Sequence, residues 1–268
     1  MRALVAQLTD THIVAPGSTY FGLDTARYLS DAIDELHALP VLPDCVVVTG
    51  DLVNTGKHAE YDRFFGVMQR LRVPYFVVPG NHDDGVALRA ALPSRSFGAS
   101  REPRLRYAIE DFAIRIVGLD VNKPGSSPGA ALDDESLSWL ERILEEKRKP
   151  TILCVHQPPF RSGLHYLDIF GFRGARGLRR LLDRHPEVGR VLCGHIHCVK
   201  KRAWRYALAC SAPSTAPQIV PLIVMDRRLL GMRRERPGFA LHEWSTTLGF
   251  TTTIVRRDEG GRYRAITA

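Results

Sequence analysis

Five short apolar runs in this chain are each followed by one or more Asp, Asn or His residues. The runs are 2–8, 44–49, 75–78, 151–155 and 189–193. β-Branched and other apolar residues fill them, which predicts buried strands, and a further strand is expected at 112–119. In a layered α/β sheet the carboxyl ends of the strands open onto one crevice, so clusters that are distant in sequence can meet there.

Three segments between these runs have the periodicity of amphipathic helices. Apolar residues line one face of 24–39, of 58–71 and of 133–147, and the last begins with Asp133 or Asp134 as its N-terminal cap. The helical pattern then stops. The later segments that predict antiparallel strands are 202–209, 239–244, 248–256 and 262–267. We therefore expect an α/β fold in which two packed sheets are flanked by helices.

Residues 1–268 are expected to form a single domain, because a chain of this length buries one large core. One segment, 211–238, is rich in Pro and Arg and lies between the predicted strands of the rear half. It is interpreted as a cap or dimerisation insertion, through which copies of the chain could form a homo-oligomer. The alternative is a long surface loop.

The composition, with 44% hydrophobic and 25% charged residues, is typical of a globular protein. The longest apolar runs are far shorter than the roughly 20 residues that a membrane-spanning helix needs, and the apolar start of the chain is too short for a signal peptide. We therefore expect no membrane partner and a cytoplasmic location. The net charge of +8 is spread along the chain, which does not favour a nucleic-acid partner.

The residues that follow the predicted strands are of types that bind metals or transfer protons. They are Asp10, His12, Asp51, Asn81, His82, Asp83, His156, His195 and His197. Taken singly, each has a structural alternative, such as a hydrogen-bonded pair at a strand end or a satisfied core histidine. Glycine precedes Asp51, Asn81 and His195, where the backbone must turn sharply and approach closely. His195 and His197 would point in opposite directions from an extended strand, so both serve one cluster only if the strand end bends.

Seven of these side chains are candidate metal ligands, namely four imidazoles, two carboxylates and one amide carbonyl. The set is too large for one tetrahedral zinc ion but suits two divalent cations that share a carboxylate. The two ions could be manganese, iron, zinc or cobalt, since imidazole and carboxylate sites accept all of them. Five cysteines form no CxxC pair and are expected to be reduced, and Cys193 and Cys198 are interpreted as core thiols.

In order along the chain, the motifs D-x-H, GD, GNHD, H and GH-x-H resemble the calcineurin-like metallophosphoesterase superfamily. Within it, the chain is similar to class III cyclic nucleotide phosphodiesterases and bacterial glycerophosphodiesterases. The segments that carry this similarity are 8–12, 48–51, 79–83, 156–159 and 193–197. The resemblance implies a four-layer αββα sandwich of two mixed sheets. Gln157 departs from the pattern, because relatives often have a second histidine there, and the departure bears on substrate preference.

The resemblance also implies a role for each matching residue. The first metal would be bound by Asp10, His12 and His197, the second by Asn81, His156 and His195, and Asp51 would bridge them. His82 would face the substrate beside Asn81 and protonate the leaving group or polarise the phosphate, and Asp83 would orient its neighbourhood.

The function implied is metal-dependent hydrolysis of small phosphodiesters, either cyclic nucleotides or glycerophosphodiesters. Two cations lower the pKa of a bridging water, and the hydroxide attacks phosphorus in line with the leaving oxygen. A phosphomonoesterase or a nuclease of the same superfamily is the alternative. A third hypothesis is a non-catalytic scaffold, but scaffold members typically lose ligands and no ligand position is missing here.

The segment 157–178 is rich in Gly and aromatic residues and follows His156 directly, so it could roof the site. Glycerophosphodiesterase relatives use the corresponding stretch near the substrate alcohol. The resemblance therefore makes His165 and Tyr166, together with Asp168, candidates for substrate binding. The alternative is a packing loop with incidental aromatic residues.

Overall fold

Strands and helices alternate through most of the chain, and strands alone follow towards its end. The computed structural model describes residues 1–92, 104–123, 127–216, 218–223 and 230–266. The helices in these ranges are α1 (Thr25–Ala38), α2 (His58–Met68), α3 (Gly85–Ala91), α4 (Asp134–Glu146), α5 (His165–Asp168) and α6 (Ala175–Leu182). The strands are β1 (Arg2–Leu8), β2 (Cys45–Thr49), β3 (Tyr75–Val78), β4 (Arg106–Ile109), β5 (Arg115–Leu119), β6 (Asn122–Lys123), β7 (Ser127–Ala131), β8 (Thr151–Cys154), β9 (Phe172–Arg173), β10 (Val188–Cys193), β11 (Lys201–Ala203), β12 (Leu208–Ser211), β13 (Gln218–Ile223), β14 (Leu230–Glu235), β15 (Gly238–Ser245), β16 (Gly249–Arg257) and β17 (Tyr263–Ile266).

Two six-stranded sheets form the centre of the fold. The first has the order β17-β16-β15-β1-β2-β3, in which β1, β2 and β3 are parallel and the C-terminal strands are antiparallel. The second has the order β11-β12-β10-β8-β5-β4, in which the four inner strands are parallel and both edge strands are antiparallel. Both sheets are therefore mixed, as the sequence resemblance implied.

Helices cover one face of each sheet. On the first sheet, α1 and α2 bury Leu29, Ile33 and Phe64 in the same core as the strands. On the second, α4 and α6 bury Leu140 and Leu178. These contacts confirm the predicted four-layer αββα arrangement. Within the described ranges, no helix is long and apolar enough to cross a membrane.

A buried polar bridge joins the two sheets close to the ends of their parallel strands. The Nε2 of Gln7 in β1 donates to Thr49 Oγ1 in β2 at 2.8 Å and to the carbonyl oxygen of Cys193 in β10 at 3.0 Å. The Oε1 of Gln7 lies 3.0 Å from Nε2 of His242 in β15, so that nitrogen carries the hydrogen. One side chain thus aligns the ends of β1, β2 and β10.

The five cysteines form no disulfide with one another, and four of them are buried, as expected for core thiols. Cys198, which was also interpreted as a core thiol, is only half-buried. Burial raises the pKa of the Cys193 thiol well above its usual value. The Sγ of Cys193 donates to the carbonyl oxygen of Cys210 at 3.3 Å, which links β10 to β12.

The structure confirms the three predicted helices and most of the predicted strands, and Asp133 caps α4 by accepting from Ser136 N at 2.9 Å. The strand predicted at 202–209 is wrong. That segment contains a reversal closed by Trp204 N and Ala207 O, so β11 and β12 lie side by side. The helices α3 and α6 are missing from the sequence analysis because seven or eight residues show too few turns of periodicity.

The segment 211–238, predicted to be a cap or dimerisation insertion, contains the hairpin of β13 and β14. These two strands pair with each other and belong to neither large sheet. Residues 217 and 224–229 of the segment lie outside the described residues. Its proposed role in capping or dimerisation stays a prediction.

Truncation of Phe64 tests the packing of α2 on the first sheet. The side chain is fully buried, so we expect Phe64→Ala to lower the free energy of unfolding by about 3–5 kcal/mol through lost burial and a cavity. The matched control is Asp62→Ala on the exposed face of the same helix, with an expected change within about 0.5 kcal/mol. Urea unfolding followed by circular dichroism measures both, and equal midpoints would contradict the packing described.

Candidate metal centre

Parallel strands from both sheets end at one place, and a predicted site residue follows each of them. Asp10 follows β1, Asp51 follows β2, Asn81 follows β3, His156 follows β8 and His195 follows β10. Backbone hydrogen bonds hold the ends together, from Asp10 N to Gly50 O at 3.0 Å and from Gly194 N to His156 O at 2.9 Å. The crevice that was predicted at the carboxyl ends of the strands is therefore present.

The backbone enters the left-handed region at the site residues themselves. The residues Asp10, His12, Asp51, His195 and His197 have φ values of 50°, 42°, 49°, 70° and 53°. Among the other non-glycine residues that the structure describes, only Phe21 has a positive φ. Such a conformation costs about 1–3 kcal/mol at each residue and persists where its surroundings impose it. At His195 and His197 it supplies the bend that the sequence analysis required for both side chains to reach one cluster.

Asp10, His12, Asp51 and His197 form one cluster, in which one ligand atom from each lies within 4.8 Å of the others. The Nε2 of His197 is 3.3 Å from Asp10 Oδ1, and the Nε2 of His12 is 3.6 Å from Asp51 Oδ2. The two Nε2 atoms lie only 3.3 Å apart. Two imidazole lone pairs repel each other at that distance unless a proton or a metal cation lies between them, so the arrangement fits a cation.

Asp51, His156 and His195 form a second cluster with the same spacing, and Asp51 therefore belongs to both. The Nδ1 of His156 donates to Thr49 O at 2.8 Å, so its Nε2 faces Asp51 Oδ2 at 3.3 Å. Among the described residues, neither this Nε2 nor the buried Oδ1 of Asn81 has a hydrogen-bond partner. Unpaired polar atoms in a buried site are costly, and a second cation would satisfy both after it displaces any proton on Nε2.

The buried charges explain the protonation of the cluster. Burial raises the pKa of Asp51, but the charge of the neighbouring His156 opposes this effect, and the pKa lies well below its usual value. Burial lowers the pKa of His12 and of His195 to about 3, so both imidazoles are neutral. Burial also lowers the pKa of His156, but the charge of Asp51 raises it to about 9. Carboxylate oxygens and neutral imidazole nitrogens are the donors that divalent transition metals prefer.

Glycines allow the strand ends to approach this closely. Gly50 has φ 89°, and a Cβ there would collide with the imidazole ring of His156. A Cβ on Gly194 would collide with Thr9 Oγ1 and with the carboxylate of Asp10. The glycines that the sequence analysis noted before site residues thus have a steric reason.

The ring of His82 lies beside the first cluster. It packs edge-on against His12 with centroids 4.7 Å apart, and its backbone N donates to Asp51 Oδ1 at 2.9 Å. Its Nδ1 is 2.9 Å from Asn54 O, a carbonyl that only accepts, so Nδ1 carries a hydrogen. The exposed residue therefore keeps its Nε2 available to a ligand above the cluster.

Asp83 does not reach the clusters and instead holds the loops that carry them. Its carboxylate accepts from Gly80 N at 2.7 Å, from Leu52 N at 3.1 Å and from Tyr61 Oη at 3.1 Å. Burial of this carboxylate and the nearby charge of Asp51 raise its pKa to about 7. These contacts fit the orienting role expected for Asp83.

Tyr20 is a site residue that the sequence analysis missed. Its ring stacks on His12 with centroids 5.0 Å apart and planes 3° apart. Burial, followed by the charges of Asp51 and Asp10, raises its pKa to about 12. The sequence feature that could have indicated Tyr20 is the aromatic pair Tyr20 and Phe21, which lies between two glycines shortly after the D-x-H motif.

A cavity of about 490 Å³ adjoins the second cluster and is walled largely by the segment 157–178, in agreement with the predicted roof. Asp168 lines it, but its carboxylate accepts from Ser162 N, Ser162 Oγ and Gly163 N at 2.9 Å each and so shapes the loop. His165 is exposed, and burial with a contribution from Cys198 raises the pKa of Tyr166 to about 12. Among the residues that the structure describes, neither His165 nor Tyr166 lines the cavity.

The sequence pattern of the calcineurin-like phosphoesterase family matches residues 3–199. The probable glycerophosphodiester phosphodiesterase GpdQ of Arcobacter nitrofigilis is 33% identical over 252 residues, which cover 93% of this chain and 91% of that relative. The 3′,5′-cyclic adenosine monophosphate phosphodiesterase CpdA of Escherichia coli K12 is 31% identical over 222 residues, covering 82% of this chain and 78% of CpdA.

The fold is also that of solved metallophosphoesterase structures. A dimetal phosphatase from Danio rerio superposes with a TM-score of 0.63, covering 93% of this chain and 98% of that structure. Its sequence identity of 14% supports the fold alone. Because the family pattern spans most of the chain and a relative matches nearly all of it at 33% identity, the chain belongs to the calcineurin-like phosphoesterase family.

Proposed function

We propose that this protein hydrolyses small phosphodiesters at a dinuclear metal centre. The observation that carries the proposal is the pair of Asp and His clusters that share Asp51. The names of the two sequence relatives support a diester substrate, since one relative acts on glycerophosphodiesters and the other on a cyclic nucleotide. Both kinds of substrate are small organic phosphodiesters.

The two metals would have separate ligands and one shared carboxylate. We assign Asp10, His12 and His197 to the first, Asn81, His156 and His195 to the second, and Asp51 to both. The short distances among their ligand atoms support this assignment. So does the unpaired Oδ1 of Asn81, whose neutral amide adds no negative charge to the second position.

Two divalent cations held there would supply Lewis acidity towards the phosphate and would lower the pKa of a bound water. The protein itself positions the groups that act on the leaving alcohol. Since Nδ1 of His82 donates to Asn54 O, Nε2 is the ring atom that faces the substrate, and the imidazolium form can give the proton on Nε2 to the leaving alcohol oxygen. Asp83 keeps His82 and Asn81 in place through its bond from Gly80 N.

Substrate binding by His165 and Tyr166 stays a prediction of the sequence analysis. Asn81 and His82 are the other proposed substrate contacts, and the position of His82 beside His12 supports its part in this. The identity of the metals is likewise a proposal, with manganese, iron, zinc and cobalt all compatible with the donor set.

Initial-rate assays on chelator-stripped and manganese-loaded protein test the proposed function. The panel is bis(p-nitrophenyl) phosphate, p-nitrophenyl phosphate, 2′,3′- and 3′,5′-cyclic AMP, and glycerophosphoethanolamine. We expect turnover of the diesters only after metal is restored, and well above turnover of the monoester. Preference for the monoester would indicate a phosphatase, and inactivity on every compound with two metals bound would overturn the proposal.

Replacement of His82 separates catalysis from metal binding. We expect His82→Ala to retain two metals per chain, since it supplies no ligand, and to lower kcat on alkyl diesters by about 10²–10⁴-fold through loss of the general acid. His58→Ala, which removes an exposed histidine from the first turn of α2, is the control and should retain normal kcat. Metal analysis by mass spectrometry accompanies the kinetics. Normal turnover in His82→Ala would remove His82 from the mechanism.

Metal binding should release protons at neutral pH. Although burial lowers the pKa of His156, the charge of Asp51 raises it to about 9, so the metal-free side chain is protonated below that pH. A cation on Nε2 must displace this proton, and affinity therefore rises with pH by up to about tenfold per unit between pH 6 and 8. Calorimetric titration of manganese in buffers of different ionisation enthalpy measures the release. Binding heats that are independent of the buffer would contradict it.

A further inference from the structure

The cavity of about 490 Å³ beside the second cluster is built by segments from distant parts of the chain. The loop after β8 supplies Gln157 to Ser162, and the start of α6 supplies Gly174 to Arg176. Pro128 and Phe172 come from a small three-stranded sheet of β6, β7 and β9. It reaches the candidate metal centre at His195. A group bound there would be attached to a phosphate held at the metals, and the volume suits a small organic substituent.

Two arginines on the wall of this cavity have no partner among the residues that the structure describes. Arg161 and Arg176 both line it, both are exposed, and neither makes an ion pair or hydrogen bond within the described ranges. Among the described lining residues the one carboxylate is Asp168, which already accepts three hydrogen bonds from Ser162 and Gly163. Two arginines and one carboxylate thus lie among the described lining residues, which leaves this part of the cavity with a net positive charge.

The start of α6 adds charge of the same sign. Gly174, Ala175 and Arg176 all line the cavity, and no side chain caps the helix or places an acidic group in its first turn. The free N–H groups of a helix N-terminus carry partial positive charge and favour anions.

Gln157 contributes a hydrogen-bond acceptor to the cavity, whereas the arginines and the start of α6 contribute donors. It lines the same cavity and is only 3% exposed, and its buried Oε1 has no hydrogen-bond partner in the part of the chain that the structure describes. Its Nε2 donates to Asn122 Oδ1 at 2.9 Å, while Asn122 Nδ2 donates to Gly80 O at 2.9 Å, so the amide orientation is set. An acceptor left over in this way fits a ligand that also carries a hydroxyl or ammonium donor.

We propose, as an extension that rests on the phosphodiesterase function above, that this cavity binds the leaving alcohol of the substrate and selects alcohols with a second anionic group. Arg161 and Arg176 bind that carboxylate or phosphate, and Gln157 accepts a hydrogen bond from a donor on the same alcohol. Hydrolysis adds water across the P–O bond, and the alcohol leaves with a proton on its oxygen. A substrate of this class is a small diester whose alcohol part is itself an anion.

Matched diesters test this selection. Glycerophosphoserine differs from glycerophosphoethanolamine by one carboxylate, and glycerophosphoglycerol phosphate differs from glycerophosphoglycerol by one phosphate. For the manganese-loaded enzyme we expect kcat/KM to be about tenfold higher for the anionic member of at least one pair, since each arginine adds charge-assisted hydrogen bonds. The pair with the larger ratio identifies the anion as a carboxylate or a phosphate.

The double variant Arg161→Gln/Arg176→Gln should reduce that ratio to within about twofold. Its control, Arg179→Gln/Arg180→Gln, removes the same charge from exposed positions further along α6 that do not line the cavity. The control should keep the wild-type ratio. Equal reduction in both variants would mean that only the overall charge matters, and it would overturn the proposal, as would wild-type ratios near one.

A binding measurement separates this proposal from the proposed function. Glycerophosphoserine and glycerophosphoglycerol phosphate are titrated calorimetrically into the chelator-treated protein. We expect the Kd of the preferred compound to rise about tenfold in the Arg161→Gln/Arg176→Gln variant and to stay unchanged in the control. No turnover of any diester would overturn the proposed function, while this pattern of binding would still support the anion site. Binding that is equal in all three proteins would overturn the anion site even if diesters are hydrolysed.

Discussion

Two buried carboxylates, Asp10 and Asp51, impose the arrangement of the whole crevice. Each is at most 2% exposed, and a charge removed from water to that extent is unstable unless donors and opposite charges surround it. Asp10 accepts from His195 N at 3.0 Å and from Thr9 Oγ1 at 2.8 Å, and Asp51 accepts from His82 N. These donors leave several oxygen lone pairs of the two carboxylates open to other partners. The imidazole nitrogens of the two clusters lie close to the same carboxylate oxygens. Metal cations bound at the two clusters would complete this balance of charge.

The fold holds these groups together at the expense of local backbone energy. Left-handed residues turn each strand end towards the crevice, and this strain is offset by the surrounding core and by polar ties between the strands. Gln7 links three strands from both sheets, and Asp83 links the loop after β3 to the segment after β2. These hydrogen bonds therefore hold the strand ends that carry the metal ligands, while loops border the cavity. Such an arrangement suits a fixed metal centre that accepts different substrates.

The two flanks of the centre differ in chemistry. On the side of the first cluster, His12 lies against the rings of Tyr20 and His82, so a ligand there meets aromatic surface and an imidazole. On the side of the second cluster, the cavity presents Arg161, Arg176 and the start of α6. A diester across the centre would thus place its two substituents in different surroundings.

The sequence by itself determined the repeated strand and helix pattern, the residue types at the strand ends and the glycines that precede three of them. The hydrophobic period and the residue types are local properties of the sequence. An Asp or His side chain can bind a metal wherever the fold places it. The tertiary structure alone decided that Tyr20 stacks on His12, that Asp168 shapes a loop and that 201–211 folds back on itself. It also decided that the loop after β8, the small sheet and α6 enclose one basic cavity. Contacts between residues tens of positions apart depend on how the layers pack, and no local pattern in the chain encodes them.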